Sequence, residues 1–539
     1  MDVCIDQRRI PGLSRLFADF LYDPGKVAEF FGPVAPHAPD SWDVSARLQG
    51  YPEARRAAVC TILEAQNKEL GAGAETLANL DRLRQPAAVA VVSGQQAGLF
   101  GGPLLALHKC MSAVLLAERL RQRGINAVPV FWIASQDHDL AEINHAWVLD
   151  ANATPLRIEV SGAGQVQGQA GGQPAGRVCF GPEITAALDA WQSIAGRPAE
   201  ASESLRRSYR PGTSFAQAFG ELLLQWFAPW GLVVIDPLHA GLQALARPLY
   251  DRVLERQAAL ETALEARATA LQAAGYHVQV RHVPGSTLLF LEHQGTRTSL
   301  RRHDGGYQLD DGVMSGDDLR RQMAAAPDTL SASALLRPVV QDFLLPTVAQ
   351  ITGPAETAYL AQSASLYPVL EVERPVTVPR LSVTLVDARA RRILDKYDLQ
   401  LDDLWHEPSE SLIARRAVPP EIETRAAQVK TTILREFDDL GRLIQQLDPT
   451  LSDPVASTAE KLRAQIEQLE GRVGRSLARR HEEVQRQSQH VLGSLVPQRG
   501  LQERTLNSAD WVARTDGKLL RLLHDTLRLD CVDHQVVAV

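Results

Sequence analysis

Zinc-ligand cysteine pairs, a disulfide framework and long apolar runs are all missing from this sequence. Its five cysteines, Cys4, Cys60, Cys110, Cys179 and Cys531, are scattered through 539 residues with no CxxC or Cys/His ligand spacing. That spacing excludes structural zinc and a stapled scaffold, and no metal is expected. No stretch approaches the ~20 apolar residues that cross a bilayer. The N-terminus, MDVCIDQRRIPGLSRLF, has no apolar signal core. A cytoplasmic protein with free thiols and no membrane partner is therefore expected. Basic charge is not in excess: 56 Lys and Arg stand against 64 Asp and Glu, a formal net charge of -8. Nonspecific nucleic-acid binding needs a basic surface, so no nucleic-acid partner is expected. There is no GxSxG motif and no Ser/His/Asp triad pattern.

What is present is an ordinary globular composition, 45% hydrophobic and 22% charged, on a chain long enough to bury a large core. Residues 1–86 read as an N-terminal helical segment, with one alanine-rich helix from Pro52 to about Leu83. AAVAVVSG (87–94) is a short continuous apolar run, the habit of a strand buried on both faces of a parallel sheet. A glycine-rich turn follows at 94–103, then a helix to Gly124, a second buried strand at 126–135 and a third at 143–150. This is a β–loop–α–β unit of a doubly wound core, 87–276, to which WGLVVIDP (230–237) adds a strand. Residues 160–176 are rich in Gly and Gln and predict a mobile loop. A long helix is expected over 239–274. A small antiparallel insert is expected at 277–332, and a return to the core at 333–390. Apolar residues spaced by threes and fours from Ile422 to Leu447, and again from Leu462 to Val491, flank the double proline break DPTLSDP. That pattern predicts an antiparallel coiled-coil hairpin within 391–500, and 501–539 reads as a helix returning to the core. The fold class is thus α/β: a Rossmann-like parallel-sheet core with inserted segments and a C-terminal coiled coil.

Three clusters could carry chemistry. In Ser93-Gly94-Gln95-Gln96-Ala97-Gly98 a glycine turn ends a parallel strand and precedes a helix, a natural seat for an anion. It is neither a P-loop nor GxGxxG, and a plain tight turn would also explain the glycines. The second cluster, Asp137, His138, Asp139, Glu142, Asn144 and His145, begins where the strand VFWIA ends, the place where open parallel sheets bind ligands. A histidine among carboxylates can hold or pass a proton near neutral pH. Helix capping would explain one of the acids but not the whole cluster. The third comprises Arg337, Gln341 and Asp342, then Gly353, Glu356 and Tyr359. Here an Arg fork and a Gly-Pro helix start could recognise carboxylate or phosphate, or simply form a solvated, capped face. Asp236, ending the strand GLVVID, is a further candidate at the site edge. His108 and Lys109 could reach an anionic ligand or point to water.

VVSGQQAGLFGGPLLALHK (91–109), PVFWIASQDHDLAEINH (129–145), LLRPVVQDFLLPTVAQITGPAETAYLAQ (335–362) and LQER (501–504) together resemble the cysteine ligase BshC family of bacillithiol biosynthesis. The resemblance implies a Rossmann-like core related to nucleotidyl-transferase-like synthetases, and a dimer formed through the helical arm. It implies condensation of cysteine with glucosaminyl-malate to give bacillithiol, the last step of the pathway. A carboxylate is a poor acylating agent at neutral pH, so ATP or another nucleotide is the expected activator, although the synthetase signatures HxGH and KMSKS are absent. On this reading Asp137, His138 and Asp139 orient the amine and accept its proton. The glutamine turn holds phosphate or carboxylate, and Arg337 holds the malate carboxylates. Two rivals stand beside it: a metal-dependent hydrolase built on Asp137, His138, Asp139 and His145, and a non-catalytic coiled-coil scaffold.

Overall fold

A computed structural model describes residues 3–32, 38–39, 42, 51–160, 173–194, 199–293, 296–303, 305–309, 312–407, 410–416, 420–480 and 482–539. Most of the Gly/Gln-rich segment at 160–176 lies outside the described residues. The chain divides into two compact units. The first comprises Met1–Val148, Leu156–Thr384 and Glu503–Val537, and the second Leu149–Pro155, Leu385–Gln502 and Ala538–Val539.

The first unit is built on five parallel strands: β1 (Ala88–Gln95), β2 (Asn126–Ile133), β3 (Val233–Ile235), β4 (Thr347–Thr352) and β5 (Val376–Pro379). Their spatial order is 3-2-1-4-5, the doubly wound order. The apolar runs lack period-two polarity because both faces are covered. Val89 and Val91 join the cluster with Ala113, Leu116, Ala117 and Leu120 of helix α1 (Leu104–Gln122). Ala90 and Val92 join the opposite cluster with Val59, Leu63, Leu242 and Leu249. Each fully buried Val or Leu side chain contributes roughly 1.5–3 kcal/mol of transfer free energy, so the alternation fixes strand register firmly. Helix α2 (Arg337–Leu344) precedes β4 and helix α3 (Pro354–Ser363) follows it. Tyr359 of α3 packs against the cluster opposite α1. The connections after β1 and β4 therefore diverge, leaving a crevice at the carboxyl ends of those two neighbouring strands.

Several sequence expectations are corrected. The helix expected over 52–83 is two, Glu53–Glu69 and Ala74–Arg84, because Gly71 and Gly73 interrupt it. The helix expected over 239–274 breaks at Arg256 into Ala240–Glu255 and Gln257–Ala273. The strand His145–Leu149 does not extend the parallel sheet. It pairs with Pro155–Glu159 in a separate two-stranded sheet, since a nearby return by a short turn gives only a local partner. The insert is a five-stranded sheet that also recruits Gly312–Ser315 and Leu330–Ala332. The C-terminal segment ends in a strand, His534–Ala538, and Val3–Ile5 pairs with it antiparallel.

In the second unit, helices α4 (Pro420–Leu447) and α5 (Ser452–Arg480) are joined by a turn at Pro449–Leu451. The pair Lys430–Glu467, at 2.6 Å, bridges them, as an antiparallel hairpin requires. No helix among the described residues is long and apolar enough to cross a membrane.

Candidate active site

The crevice beyond β1 and β4 holds a cavity of about 830 Å³, and its wall includes Gly94, Gln95 and Gln96 from the first cluster and Asp137 and Glu142 from the second. Arg337, Gly353, Glu356 and Tyr359 from the third cluster line it too. The glutamine turn and the acidic cluster meet directly, with Gln96 Nε2 donating to Asp137 Oδ2 at 2.7 Å.

The turn is shaped by close backbone packing. A Cβ at Gly94 would lie 2.7 Å from the Trp132 carbonyl oxygen of the paired strand, so no side chain fits there. Gly102 has φ +66, a conformation glycine adopts without strain. Tyr209 Oη accepts from the Gly101 N–H at 3.0 Å, and Asn507 Nδ2 donates to the carbonyls of Leu99 and Gly102 at 2.9 and 3.0 Å. Gly98 packs against Gly102 behind the wall, and Ser93 is buried within β1.

Lys109 is the pivot of the floor. Its Nζ donates to Gly94 O at 2.7 Å, Gln95 Oε1 at 3.1 Å and Glu356 Oε2 at 2.8 Å. Burial pulls Lys109 below the ordinary lysine range, and Glu356 opposes that pull. Burial pushes Glu356 up, but Lys109 and Arg337 outweigh it and hold the carboxyl below its usual value. Arg337 donates to Gln341 at 3.0 Å, Glu356 at 3.1 Å and Tyr359 at 2.9 Å. Its fork is thus occupied by protein partners, which leaves it little capacity for the ligand carboxylates expected of it. Gln341 and Asp342 are buried behind it, outside the lining. Asp342 accepts from Gln341 at 3.0 Å and from Tyr367 at 2.5 Å.

The second cluster separates into different environments. Asp137 lies in the wall with its side chain 42% exposed, and its Oδ1 accepts from the His138 N–H at 2.8 Å. The His138 ring is half exposed and outside the lining, with Nδ1 3.4 Å from Arg297. Asp139 caps the short helix Leu140–Ile143 by accepting from the Ala141 N–H at 3.1 Å. Asn144 donates to Glu159, and His145 Nδ1 lies 3.0 Å from the Ala141 carbonyl. Asp236 is partly buried outside the cavity lining, where desolvation raises its pKa while hydrogen bonds from Ser135 and the Leu238 N–H oppose the rise. It fixes the start of the loop that presents Asp137. Among the described residues no three His, Cys, Asp or Glu side chains are grouped to hold a metal ion. The four residues of the hydrolase rival are instead divided between the wall, a cap and local backbone contacts.

Residue-by-residue reading missed most of the cations. Lys109, Arg281, Arg297, Arg301, Arg337, Arg380 and Arg504 line the cavity against Asp137, Glu142 and Glu356. Seven positive groups facing three negative ones, on a chain of net charge -8, select an anionic ligand. A signal was available: Arg297, Ser299 and Arg301 alternate along the strand Thr296–His303, and all three line the cavity. Among the described residues Arg281, Arg301 and Arg504 are paired with no carboxylate, whereas Arg297 bonds Ser331 and the Ala332 carbonyl and lies 3.8 Å from the Phe290 ring centroid. Burial lowers Arg297 to about 10, which leaves it cationic at neutral pH.

Arg380 is held from behind. Its guanidinium grips both oxygens of Glu503, at 2.9 and 2.5 Å, and Glu503 also accepts from Ser382, from the Val383 N–H and from His108 Nδ1. His108 is fully buried and burial lowers its pKa. It supports the wall and does not face the ligand space.

Residues 3–381 match the family model for the bacillithiol biosynthesis BshC N-terminal Rossmann-like domain, and residues 383–539 match the BshC C-terminal coiled-coil domain. The chain belongs to the BshC family. Among BshC relatives, the protein of Koribacter versatilis is 35% identical over 538 residues, covering 99% of both chains. That of Solibacter usitatus is 35% identical over 544 residues, again 99% of each, and that of Salinibacter ruber is 31% identical over 540 residues, 97% and 96%. BshC membership thus spans the Rossmann-like core, the cavity and the helical hairpin alike.

Proposed function

We propose that this chain joins the carboxyl group of cysteine to the amine of glucosaminyl-malate, forming the amide of bacillithiol as the last step of that pathway. The relatives are named as cysteine ligases. The observation that carries the reading is the meeting, in one cavity, of a half-exposed carboxylate with arginines paired to no other acid. Asp137 is the general base. Gln96 fixes one carboxylate oxygen, and the other accepts the proton of the attacking amine. Arg281 and Arg301 receive the malate carboxylates. An Arg–carboxylate pair is directional and strong, and an anionic cosubstrate suits a cation-rich wall. ATP is the proposed activator of the cysteine carboxyl. The fit rests on Arg504, which among the described residues is paired with no carboxylate, and on the start of α3, where Gly353, Pro354 and Ala355 line the cavity and the helix presents its positive end. A reaction that consumes free cysteine belongs in the reducing cytoplasm.

A strain lacking the gene is expected to accumulate glucosaminyl-malate and contain no bacillithiol by thiol profiling, and normal bacillithiol in that strain would refute the reading. In the purified enzyme Arg301→Ala is expected to raise KM for glucosaminyl-malate by about 10–100-fold, the loss of one charged hydrogen-bonding partner, with kcat changed less.

We assign the helical arm to pairing with a second copy of the chain. Leu443 and Leu447 are 63% and 91% exposed, and Ile422, Val429, Leu440 and Leu469 are exposed on the same two helices. Combined Leu443→Glu and Leu447→Glu substitutions should convert a dimer to a monomer in light scattering coupled to size exclusion. An unchanged dimer mass would place the interface elsewhere.

A further inference from the structure

The two ends of the chain carry a thiol pair that the ligase chemistry does not use. Strand Val3–Ile5 runs antiparallel to the C-terminal strand, with Cys4 opposite Gln535. Cys531 lies just before that strand, and its Sγ is 2.7 Å from Cys4 Sγ although the two residues are 527 apart in sequence. The approach is not left to the strands alone. Gln7 Nε2 donates to the Val532 carbonyl at 2.6 Å, and Tyr22 Oη donates to Asp533 Oδ1 at 2.7 Å. The Gln535 side chain closes the turn holding Cys531, accepting from the Arg528 N–H at 3.0 Å and donating to its carbonyl at 2.9 Å. Cys4 is exposed and Cys531 is partly buried. The other thiols differ: Cys60 and Cys110 are buried, and the exposed Cys179 directs its thiol to the backbone carbonyl of Arg177 at 3.7 Å.

We propose that Cys4 and Cys531 form a modification site, a dithiol that exchanges with small-molecule disulfides to close a reversible bond between the two ends of the chain. In the first step the Cys4 thiolate attacks one sulfur of R–S–S–R. The small disulfide bond breaks, a mixed disulfide forms on Cys4, and one RS⁻ leaves and is protonated. In the second step Cys531 gives up its proton and attacks Cys4 Sγ, expelling the second R group as a thiol. Two protein thiols are oxidised, and one small disulfide is reduced to two thiols. Burial and the neighbouring Cys4 push the Cys531 thiol up to about 12. That makes Cys531 the poorer nucleophile, so exposed Cys4 is the point of entry, and Cys531 is the resolving thiol because its Sγ already stands 2.7 Å from Cys4 Sγ. The bond would pin the strand that carries His534, which lies 2.8 Å from Ser382 Oγ, itself a donor to Glu503.

The test uses the reduced full-length protein equilibrated in buffers of rising oxidised-to-reduced glutathione ratio. Samples are quenched in acid, alkylated, digested and read by mass spectrometry. The expected result is a linked Cys4–Cys531 peptide that grows with the ratio, lacks two hydrogens relative to the reduced pair and disappears on adding dithiothreitol. Cys531→Ser should stop at a glutathione adduct on Cys4, and Cys4→Ser should leave Cys531 alkylated. The oxidised wild type should also melt at a higher temperature than the reduced form, because the link restricts the unfolded chain. Neither single variant should show that shift. A wild-type protein that carries glutathione on Cys4 while Cys531 remains alkylated would overturn the proposal. So would both thiols remaining alkylated at every ratio, or a link formed between two chains.

Discussion

Replacing Asp137 with Asn is expected to lower kcat by about 10²–10⁴-fold, the usual contribution of a positioned general base, while KM for both substrates moves only a few-fold. Asn keeps the size of the side chain and can still meet Gln96, so the cavity should keep its shape. What is lost is an oxygen able to take the amine proton. His138→Ala should cost much less, because the ring lies outside the cavity lining and touches Asp137 only at 3.6 Å. Steady-state assays of bacillithiol formation by the two purified variants separate these roles. A near wild-type kcat for Asp137→Asn would remove Asp137 as the base, and a larger loss for His138→Ala would move that role to the histidine.

The second large effect falls on Glu503, well behind the cavity. Glu503→Ala should destabilise the protein by about 3–5 kcal/mol, because it leaves the Arg380 guanidinium in a buried site without its counter-charge. Native proteins retain only about 5–15 kcal/mol, so the loss should show plainly in urea denaturation. The Arg380→Met, Glu503→Ala double variant should recover part of it. If the two single losses simply add, the pair is not coupled. The pH dependence has a definite sense. Burial alone would raise the Glu503 carboxyl, but Arg380 and the His108 hydrogen bond hold it well below the usual range. A depressed carboxylate stabilises the fold above its unfolded pKa, about 4.3, and that contribution is lost as pH falls through the lowered folded value. The stability gap between wild type and Glu503→Gln should therefore be widest near neutrality and narrow in acid. A gap independent of pH would argue against an ionised Glu503.

The sequence exposed the site unevenly. Gln95, Gln96 and Asp137 were legible because each sits where a continuous apolar run ends, and the carboxyl ends of buried parallel strands are where such sheets bind ligands. Asp139 looked equivalent to Asp137, yet two residues of separation at a helix start make one a cap and the other a wall group. Arg337 was legible as a cation but not as one already engaged by Gln341, Glu356 and Tyr359. Arg301 was passed over because an arginine on an antiparallel strand usually faces water, and Arg281 because it stands in the irregular segment before the strand Ser286–His293. Only the tertiary fold brings both residues to the cavity wall, where they stay exposed to solvent.

From residue order alone came the strand–turn–helix–strand unit, the helical hairpin and the family. These depend on local periodicity, on glycines that tolerate close backbone approach, and on motifs read within a few dozen residues. Tertiary structure decided which charges meet. Lys109 and Glu356, Arg380 and Glu503, and Cys4 and Cys531 are each brought together across more than a hundred residues of chain. Partners so distant leave no mark on local spacing, and burial rather than sequence neighbours then sets how each charge behaves.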